Sequence, residues 1–186
     1  MNRDVGSFCA VLIALLLVMG LTSQAFAESR AFQISLSPDT ALHDRDVRIE
    51  GLSLGVWSEN PQNAFTLGFV SGSTGESTGF SWSLLMNYAD SYSGVHWAPV
   101  NYAKESFVGW QNGFVNVSEQ RFMGLQSGFV NYAAWLQGLQ LGLVNYARTA
   151  DGGVQLGLAN VIGENKWFQD FPNAFAPGMI LVNWRF

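Results

Sequence analysis

Apolar and polar residues alternate along the segment GLQLGLVNYA, which spans Gly138–Ala147. The alternation puts Leu139, Leu141, Leu143 and Asn145 on one face, and the glycines, the glutamine, the valine and the tyrosine on the other. Because successive side chains on a β-strand point to opposite faces, this period of two predicts a strand. No apolar stripe recurs at the three- and four-residue spacing of a helix.

The same pattern recurs along the chain at a nearly constant spacing. Its closing asparagine advances in steps of 14, 15, 15, 14 and 15 residues. Ten residues of strand and four or five of turn account for each step, and a fixed period indicates a repeat architecture. The repeat-motif asparagines are Asn87, Asn101, Asn116, Asn131, Asn145 and Asn160.

Charged residues are rare within the repeated strands. From Gly79 onward almost all of them fall between strands, at the expected turns, and Arg185 is the exception. A sheet with one face in water normally carries some charge on that face. A soluble sheet with glycine, glutamine, serine and asparagine outside is one explanation. The interpretation we favour is that one face meets lipid, which requires the sheet to close into a barrel.

We therefore predict an all-β fold, an antiparallel transmembrane β-barrel of about 8–10 strands with both termini in the periplasm. Such a barrel has an interior largely filled by side chains, which argues against a wide channel. The predicted strands are Ala31–Ser37, Val47–Trp57, Ala64–Ser71, Gly79–Ala89, Gly94–Ala103, Phe107–Val117, Phe122–Ala133, Gly138–Ala147, Gly153–Ile162 and Phe175–Phe186.

A β-solenoid is the alternative fold. The repeat is one strand long, and a direct one-strand repeat suits an architecture in which equivalent residues stack in register. This alternative predicts a secreted binding or adhesion module. Which strand face meets lipid stays open, because the repeats favour the leucine face whereas the terminal strand favours the other.

The N-terminal segment predicts export. Residues 1–27 combine a basic start, an apolar run and the small-residue site Ala25-Phe26-Ala27, which together are typical of a cleaved signal peptide. We expect residues 28–186 to form a single domain located in the outer membrane. This part of the chain has no cysteine, so disulfides and cysteine-bound metals are excluded. The net charge of −5, with no basic patch, argues against nucleic acid as a partner.

The last ten residues, PGMILVNWRF, alternate apolar side chains and end on an aromatic residue. This ending resembles the terminal strand of bacterial outer-membrane β-barrel proteins. The resemblance implies recognition by the barrel-assembly machinery and contact with outer-membrane lipid. The residues that would form this assembly signal are Ile180, Val182, Trp184 and Phe186.

The repeat, glycine-apolar-glutamine-apolar-glycine-apolar-apolar-asparagine, is similar to that of the bacterial surface-repeat proteins first grouped from leptospires. The similarity covers Gly109–Ile162 most fully and Gly79–Ala103 in a looser form, and Phe32–Trp57 resembles the N-terminal segment of those proteins. It implies a location at the surface or in the cell envelope. It implies no reaction, no cofactor and no catalytic residue.

Candidate chemistry is sparse, and we predict neither an enzyme nor a cofactor. His96 stands where other repeats carry glutamine and is interpreted as its polar substitute. The run His43-Asp44-Arg45-Asp46 is interpreted as a solvated turn rather than a cation site, and Glu50, Glu59 and Glu76 show no paired spacing. The repeated asparagines are expected to bond the turn backbone at strand ends. A small lipid-modifying barrel enzyme is the least favoured hypothesis.

Overall fold

The computed structural model describes residues 28–186, which form a β-solenoid without helices. No helix in this part of the chain is long and apolar enough to cross a membrane. The predicted signal peptide lies outside the described residues. The strands are β1 (Ser29–Ser37), β2 (Thr40–Ala41), β3 (Arg48–Asn60), β4 (Gln62–Trp97), β5 (Val100–Asn112), β6 (Val115–Ser127), β7 (Val130–Leu141), β8 (Val144–Ile162) and β9 (Gly178–Arg185).

The predicted antiparallel barrel is wrong, and the alternative solenoid is confirmed. From β3 to β8 each strand pairs in parallel with the next one along the chain, and β1 pairs in parallel with β3. The pairing joins equivalent repeat positions, such as Asn131 with Asn145 and Gly124 with Gly138. Each repeat is therefore one turn of a solenoid, here called a coil. Successive strands do not reverse direction as a barrel requires.

The ten-residue unit is not one straight strand, because the chain bends inside it. β7 ends at Leu141, Gly142 and Leu143 form a bend, and β8 begins at Val144. The bend reverses the phase of the alternation, so Gln140 and Asn145 both point inward. Strict alternation had placed these two residues on opposite faces, and that prediction is wrong.

A second bend completes each coil at the charged segment between repeats. Strand pairing shifts register there, for example between Ser118 and Arg121 on β6. Gln126 donates a hydrogen bond across the interior to the carbonyl of Tyr132, 3.1 Å away, which shows that the chain doubles back within one coil. Each coil is thus flattened, with two sides joined by two bends.

Close stacking of coils depends on a column of glycines. Gly109 has φ +128° and Gly124 has φ +130°, a region that side chains rarely adopt. A Cβ at Gly109 would overlap the carbonyl oxygen of Gly94 in the preceding coil. The column includes Gly79, Gly94, Gly109, Gly124 and Gly138.

The apolar part of the interior lies near the charged bends. Phe107 and Phe122 stack with ring centroids 5.8 Å apart, and Leu136 continues the column. Small residues such as Ala103 and Ala133 fill the space beside them, and all five side chains are inaccessible to solvent. Stacking of equivalent residues builds one continuous core from short repeats.

Both ends of the solenoid carry an antiparallel strand. β2 pairs with β1 at one end, and β9 pairs with β8 at the other. At the second end Asn183 is buried and donates to the carbonyl of Ala176 at 2.8 Å. Polar side chains therefore satisfy the backbone where the repeat stops.

Candidate functional site

The six repeat asparagines form a single ladder inside the solenoid. All of them are inaccessible to solvent. The side-chain Nδ2 of every one but the last, Asn160, donates to the Oδ1 of the asparagine in the next coil, at 2.8 Å for Asn116 to Asn131 and for Asn131 to Asn145. At the first rung, Asn87 Oδ1 accepts from the hydroxyls of Ser81 and Ser83. The ladder is therefore continuous across coils.

The asparagines also bond the backbone at the bend, as the sequence predicted. Asn131 Nδ2 donates to the carbonyl of Leu141, and Asn145 Nδ2 donates to that of Leu156, each at 2.9 Å. Because the acceptor is a carbonyl, the position of the amide nitrogen is set by the hydrogen-bond network. The sequence did not predict the second bond of each amide, to the next rung. The sequence signal for this bond between coils is an asparagine that recurs at the same position of each repeat, because equivalent side chains meet inside a parallel stack.

A glutamine ladder lies beside the first one and runs in the opposite direction. Gln126 Nε2 donates to Gln111 Oε1 at 2.8 Å, and Gln140 Nε2 donates to Gln126 Oε1 at 2.7 Å. Gln155 continues the ladder toward the C-terminal end. These glutamines are fully buried. From Gln111 to Gln155 the two ladders fill the uncharged end of the interior with buried amide side chains.

His96 interrupts the glutamine ladder. It pairs in register with Gln111 and is fully buried, so it occupies the glutamine position as predicted. Neither ring nitrogen has a hydrogen-bond partner, and Gln111 Nε2 also lacks one. The imidazole packs instead against Tyr92 and Phe107, at centroid distances of 4.1 and 5.0 Å. Burial lowers the pKa of His96 from 6.5 to about 3.

Replacing His96 by glutamine is expected to stabilise the protein. In His96→Gln the new Oε1 can accept from Gln111 Nε2, and the new amide can donate to the carbonyl of Tyr102, as Gln126 does to that of Tyr132. Pairing these buried groups is worth roughly 1–2 kcal/mol in the free energy of unfolding, less the lost ring packing. Urea denaturation at pH 7 measures the difference.

The same variant should remove a source of acid sensitivity. Between pH 6.5 and 3 the unfolded chain binds a proton at His96 that the folded chain excludes, so wild-type stability falls as the pH decreases through that window. The advantage of His96→Gln should therefore grow by about 2 kcal/mol between pH 7 and pH 5. A constant difference between the two proteins over that range would contradict the assignment.

The outer surface at the bends between paired strands is a continuous apolar strip, which we call the apolar edge. It runs from β3 to β8, with one residue from each coil along that length. Phe114 and Phe129 lie at its centre, 59% and 56% exposed, with ring centroids 5.2 Å apart. Its residues are Val56, Phe69, Leu85, Pro99, Phe114, Phe129, Leu143 and Leu158.

Aromatic residues flank the apolar edge on both sides of the coil. Tyr132 and Tyr146 stack on one side, with centroids 5.4 Å apart and rings nearly parallel. Trp97 and Trp110 lie on the other side, 5.9 Å apart. A shallow groove of about 490 Å³ opens between the tryptophan side and the edge. Its lining includes Trp82, Trp97, Pro99, Phe114 and Phe129.

The opposite bends carry the charges, and we call them the charged edge. They are separated from the apolar edge by the width of the coil. On this side Arg121 lies over the ring of Trp135, 4.7 Å from its centroid. The charged edge comprises Asp90, Lys104, Glu105, Glu119, Arg121, Arg148 and Asp151.

The other candidates from the sequence do not come together as a site. Among residues 28–186, no group of three or more histidine, cysteine, aspartate or glutamate side chains could hold a metal ion. In the His43 run, Arg45 pairs with Asp39 at 3.1 Å and with Glu59 at 3.5 Å. Glu59 also accepts a hydrogen bond from the hydroxyl of Tyr88, whose pKa is raised by burial first and then by this bond.

The terminal strand does not close a barrel. β9 pairs with β8, and not with β1 as closure would require. Its predicted alternation breaks at Leu181, which has φ +68° and is exposed together with Ile180. Val182 and Trp184 are half-buried, and Phe186 is exposed beyond the end of β9. Recognition of this ending by an assembly machinery stays a prediction from resemblance.

Comparison with known proteins adds no further assignment. No family model, no curated protein and no solved structure matches the chain.

Proposed function

We propose that the protein is a non-catalytic binding or adhesion module, exported to the bacterial cell envelope. The observation that carries the proposal is the apolar edge. Exposed apolar patches beyond a few hundred Å² on a soluble protein usually mark an interaction site. Here the patch follows the repeat, since each coil adds one apolar residue at the same place, as Phe114, Phe129 and Leu143 do.

The proposal of a non-catalytic role rests on where the polar groups lie. The asparagine and glutamine side chains are sealed inside, where they bond along their own ladders and to the backbone. His96, the histidine within the repeats, has no exposed surface with which to meet a substrate. A general base must reach the proton that it removes, which a sealed imidazole cannot do.

The location in the envelope rests on sequence. The predicted signal peptide accounts for export, and the resemblance to bacterial surface-repeat proteins favours the cell surface. We expect cleavage after Ala27, so that the mature chain begins at Glu28. The intact mass of protein recovered from cells tests this.

Fractionation of the expressing bacterium tests the proposed function. We expect the wild-type protein to sediment with isolated envelopes, and Phe114→Ser/Phe129→Ser to shift into the soluble periplasmic fraction while remaining folded. Both side chains point outward, so their loss leaves the interior ladders intact. Wild-type protein found entirely in a soluble fraction would contradict an envelope-binding role.

A further inference from the structure

We propose that the partner of the apolar edge is the surface of a lipid bilayer, into which the edge dips without spanning it. This inference rests on the proposed function and names the partner of the same surface. The edge would enter the apolar layer, with the aromatic rows at the headgroups and the charged edge in water.

The chemistry across the coil follows the polarity of a bilayer interface. Phe114, Phe129 and Leu143 lie on the apolar edge, which is the tip of each coil and would meet hydrocarbon first. Tyrosine and tryptophan come next, and such residues concentrate at the level of the headgroups because one end of the ring is apolar and the other is polar. The charged edge, the furthest from the tip, stays in water. A tyrosine follows the ladder asparagine in four of the six repeats, at Tyr88, Tyr102, Tyr132 and Tyr146.

The backbone N–H groups of Phe114 and Phe129, at the centre of the apolar edge, are already paired, which favours entry into hydrocarbon. Unpaired backbone groups cost several kcal/mol each in lipid, and turns normally expose several of them. Here the bend residues bond to the neighbouring coil. Phe114 N–H donates to the Pro99 carbonyl at 2.8 Å, and Phe129 N–H donates to the Phe114 carbonyl at 2.9 Å. Gly128 N–H donates to the Leu141 carbonyl, which also accepts from Asn131.

A second copy of the chain is a poorer occupant than lipid. Seven coil spacings of about 4.8 Å make the edge about 34 Å long, and with the spacing of about 10 Å between packed sheets as its thickness it presents about 340 Å² to a partner copy. Stable protein interfaces bury about 800 Å² on each partner. The apolar surface also continues around the bend onto both sides of the coil. A fluid can cover both sides at once, whereas a second edge covers the tip alone.

Binding should not depend on lipid charge. No charged residue lies at the tip, and the chain has a net charge of −5. Electrostatic attraction to anionic lipid therefore cannot be the driving force, and burial of apolar surface must be. Neutral phosphatidylcholine vesicles are consequently the appropriate probe, and added salt should leave the partition coefficient unchanged.

Vesicle flotation with the purified exported protein tests the inference. We expect wild type to float with phosphatidylcholine vesicles equally at low and high salt. Phe114→Ser/Phe129→Ser should reduce the partition coefficient at least tenfold. The matched control is Trp167→Ser/Phe171→Ser, which removes two rings of similar exposure, 60% and 59%, from outside the edge. The control should float as wild type does.

A fluorescent label locates the surface that enters the bilayer. An environment-sensitive dye on Leu143→Cys, at the tip, should shift to the blue with vesicles and be quenched by brominated lipid. The same dye on Gln137→Cys, exposed at the charged side of the coil, should do neither. A shift at residue 137 without one at residue 143 would overturn the proposed orientation.

The outcomes separate this inference from the proposed function. If wild type sediments with envelopes but does not float with lipid vesicles, the binding role stands and the bilayer is the wrong partner. A dimer in sedimentation that Phe114→Ser/Phe129→Ser dissociates, with no flotation, would make a second copy the occupant and overturn the inference. Flotation that only the control variant abolishes would also overturn it.

Discussion

Asn131→Leu should destabilise the solenoid by roughly 3–5 kcal/mol. The side chain sits in the middle of the ladder, accepts from Asn116, and donates to both Asn145 and the carbonyl of Leu141. Leucine is of similar size, so a cavity is not the main cause of the loss. The variant leaves Asn145 Oδ1 buried without its donor, and each such group costs about 1–3 kcal/mol.

A loss of this size is a large part of the 5–15 kcal/mol that typically separates folded from unfolded chains. We therefore expect a much lower urea midpoint, or little folded protein. Val130→Thr is the control, because Val130 is the adjacent residue, points outward and is half-exposed. It should change the free energy of unfolding by about 0.5 kcal/mol or less. Equal changes in the free energy of unfolding of the two variants would show that the asparagine ladder does not stabilise the solenoid.

Gly109→Ala should prevent folding of the coil stack. The residue combines φ +128° with contact to the preceding coil, where an added Cβ would overlap the carbonyl oxygen of Gly94. Unfavourable backbone geometry alone costs about 1–3 kcal/mol, and relief of the overlap must separate two paired strands. We expect the variant to lack the cooperative unfolding transition of the wild type, as followed by circular dichroism.

Gly75→Asn is the matched control for Gly109→Ala. Gly75 has φ +58°, where asparagine is tolerated, and an added Cβ would meet nothing within 4 Å. Its unfolding free energy should stay within about 1 kcal/mol of wild type. If Gly109→Ala were as well tolerated as Gly75→Asn, the coils could not stack as closely as described.

The sequence predicts strands and their period well because both depend on local alternation. Whether neighbouring strands pair in parallel or antiparallel is harder to predict, because it depends on whether the chain reverses direction between repeats or winds on as a solenoid. The sequence spacing of the glutamine and the asparagine in each repeat predicts the bend. Gln140 and Asn145 are five residues apart, an odd number, so a straight strand cannot bury both. Recurrence of both amides in several repeats therefore indicates a bend between them.

The sequence-based interpretation of the charge-free repeats as a lipid-facing barrel wall is wrong. The lack of charge has a different structural cause on each face of the strand. Inward, glutamine and asparagine are required by the ladders, in which a charged group such as lysine would have no partner. Outward, the apolar residues are exposed around the bend, as Phe129 and Val130 are. The sequence alone cannot distinguish these faces, because the bend exchanges them.

Cross-linking of paired cysteines tests the parallel stack most directly. Val130 and Val144 are register partners in neighbouring coils, both point outward, and parallel neighbours lie about 4.8 Å apart. Tyr132 and Leu139 flank the turn of the hairpin that a barrel would form, but in the solenoid they face outward from opposite sides of a coil. Residues 28–186 contain no cysteine, so each pair can be introduced without background.

A short bifunctional thiol reagent such as dibromobimane is added to each folded double variant, and the bridged peptides are identified by mass spectrometry. The solenoid predicts that Val130→Cys/Val144→Cys is bridged within one chain and that Tyr132→Cys/Leu139→Cys is not. Bridging of the second pair without the first would contradict the parallel solenoid.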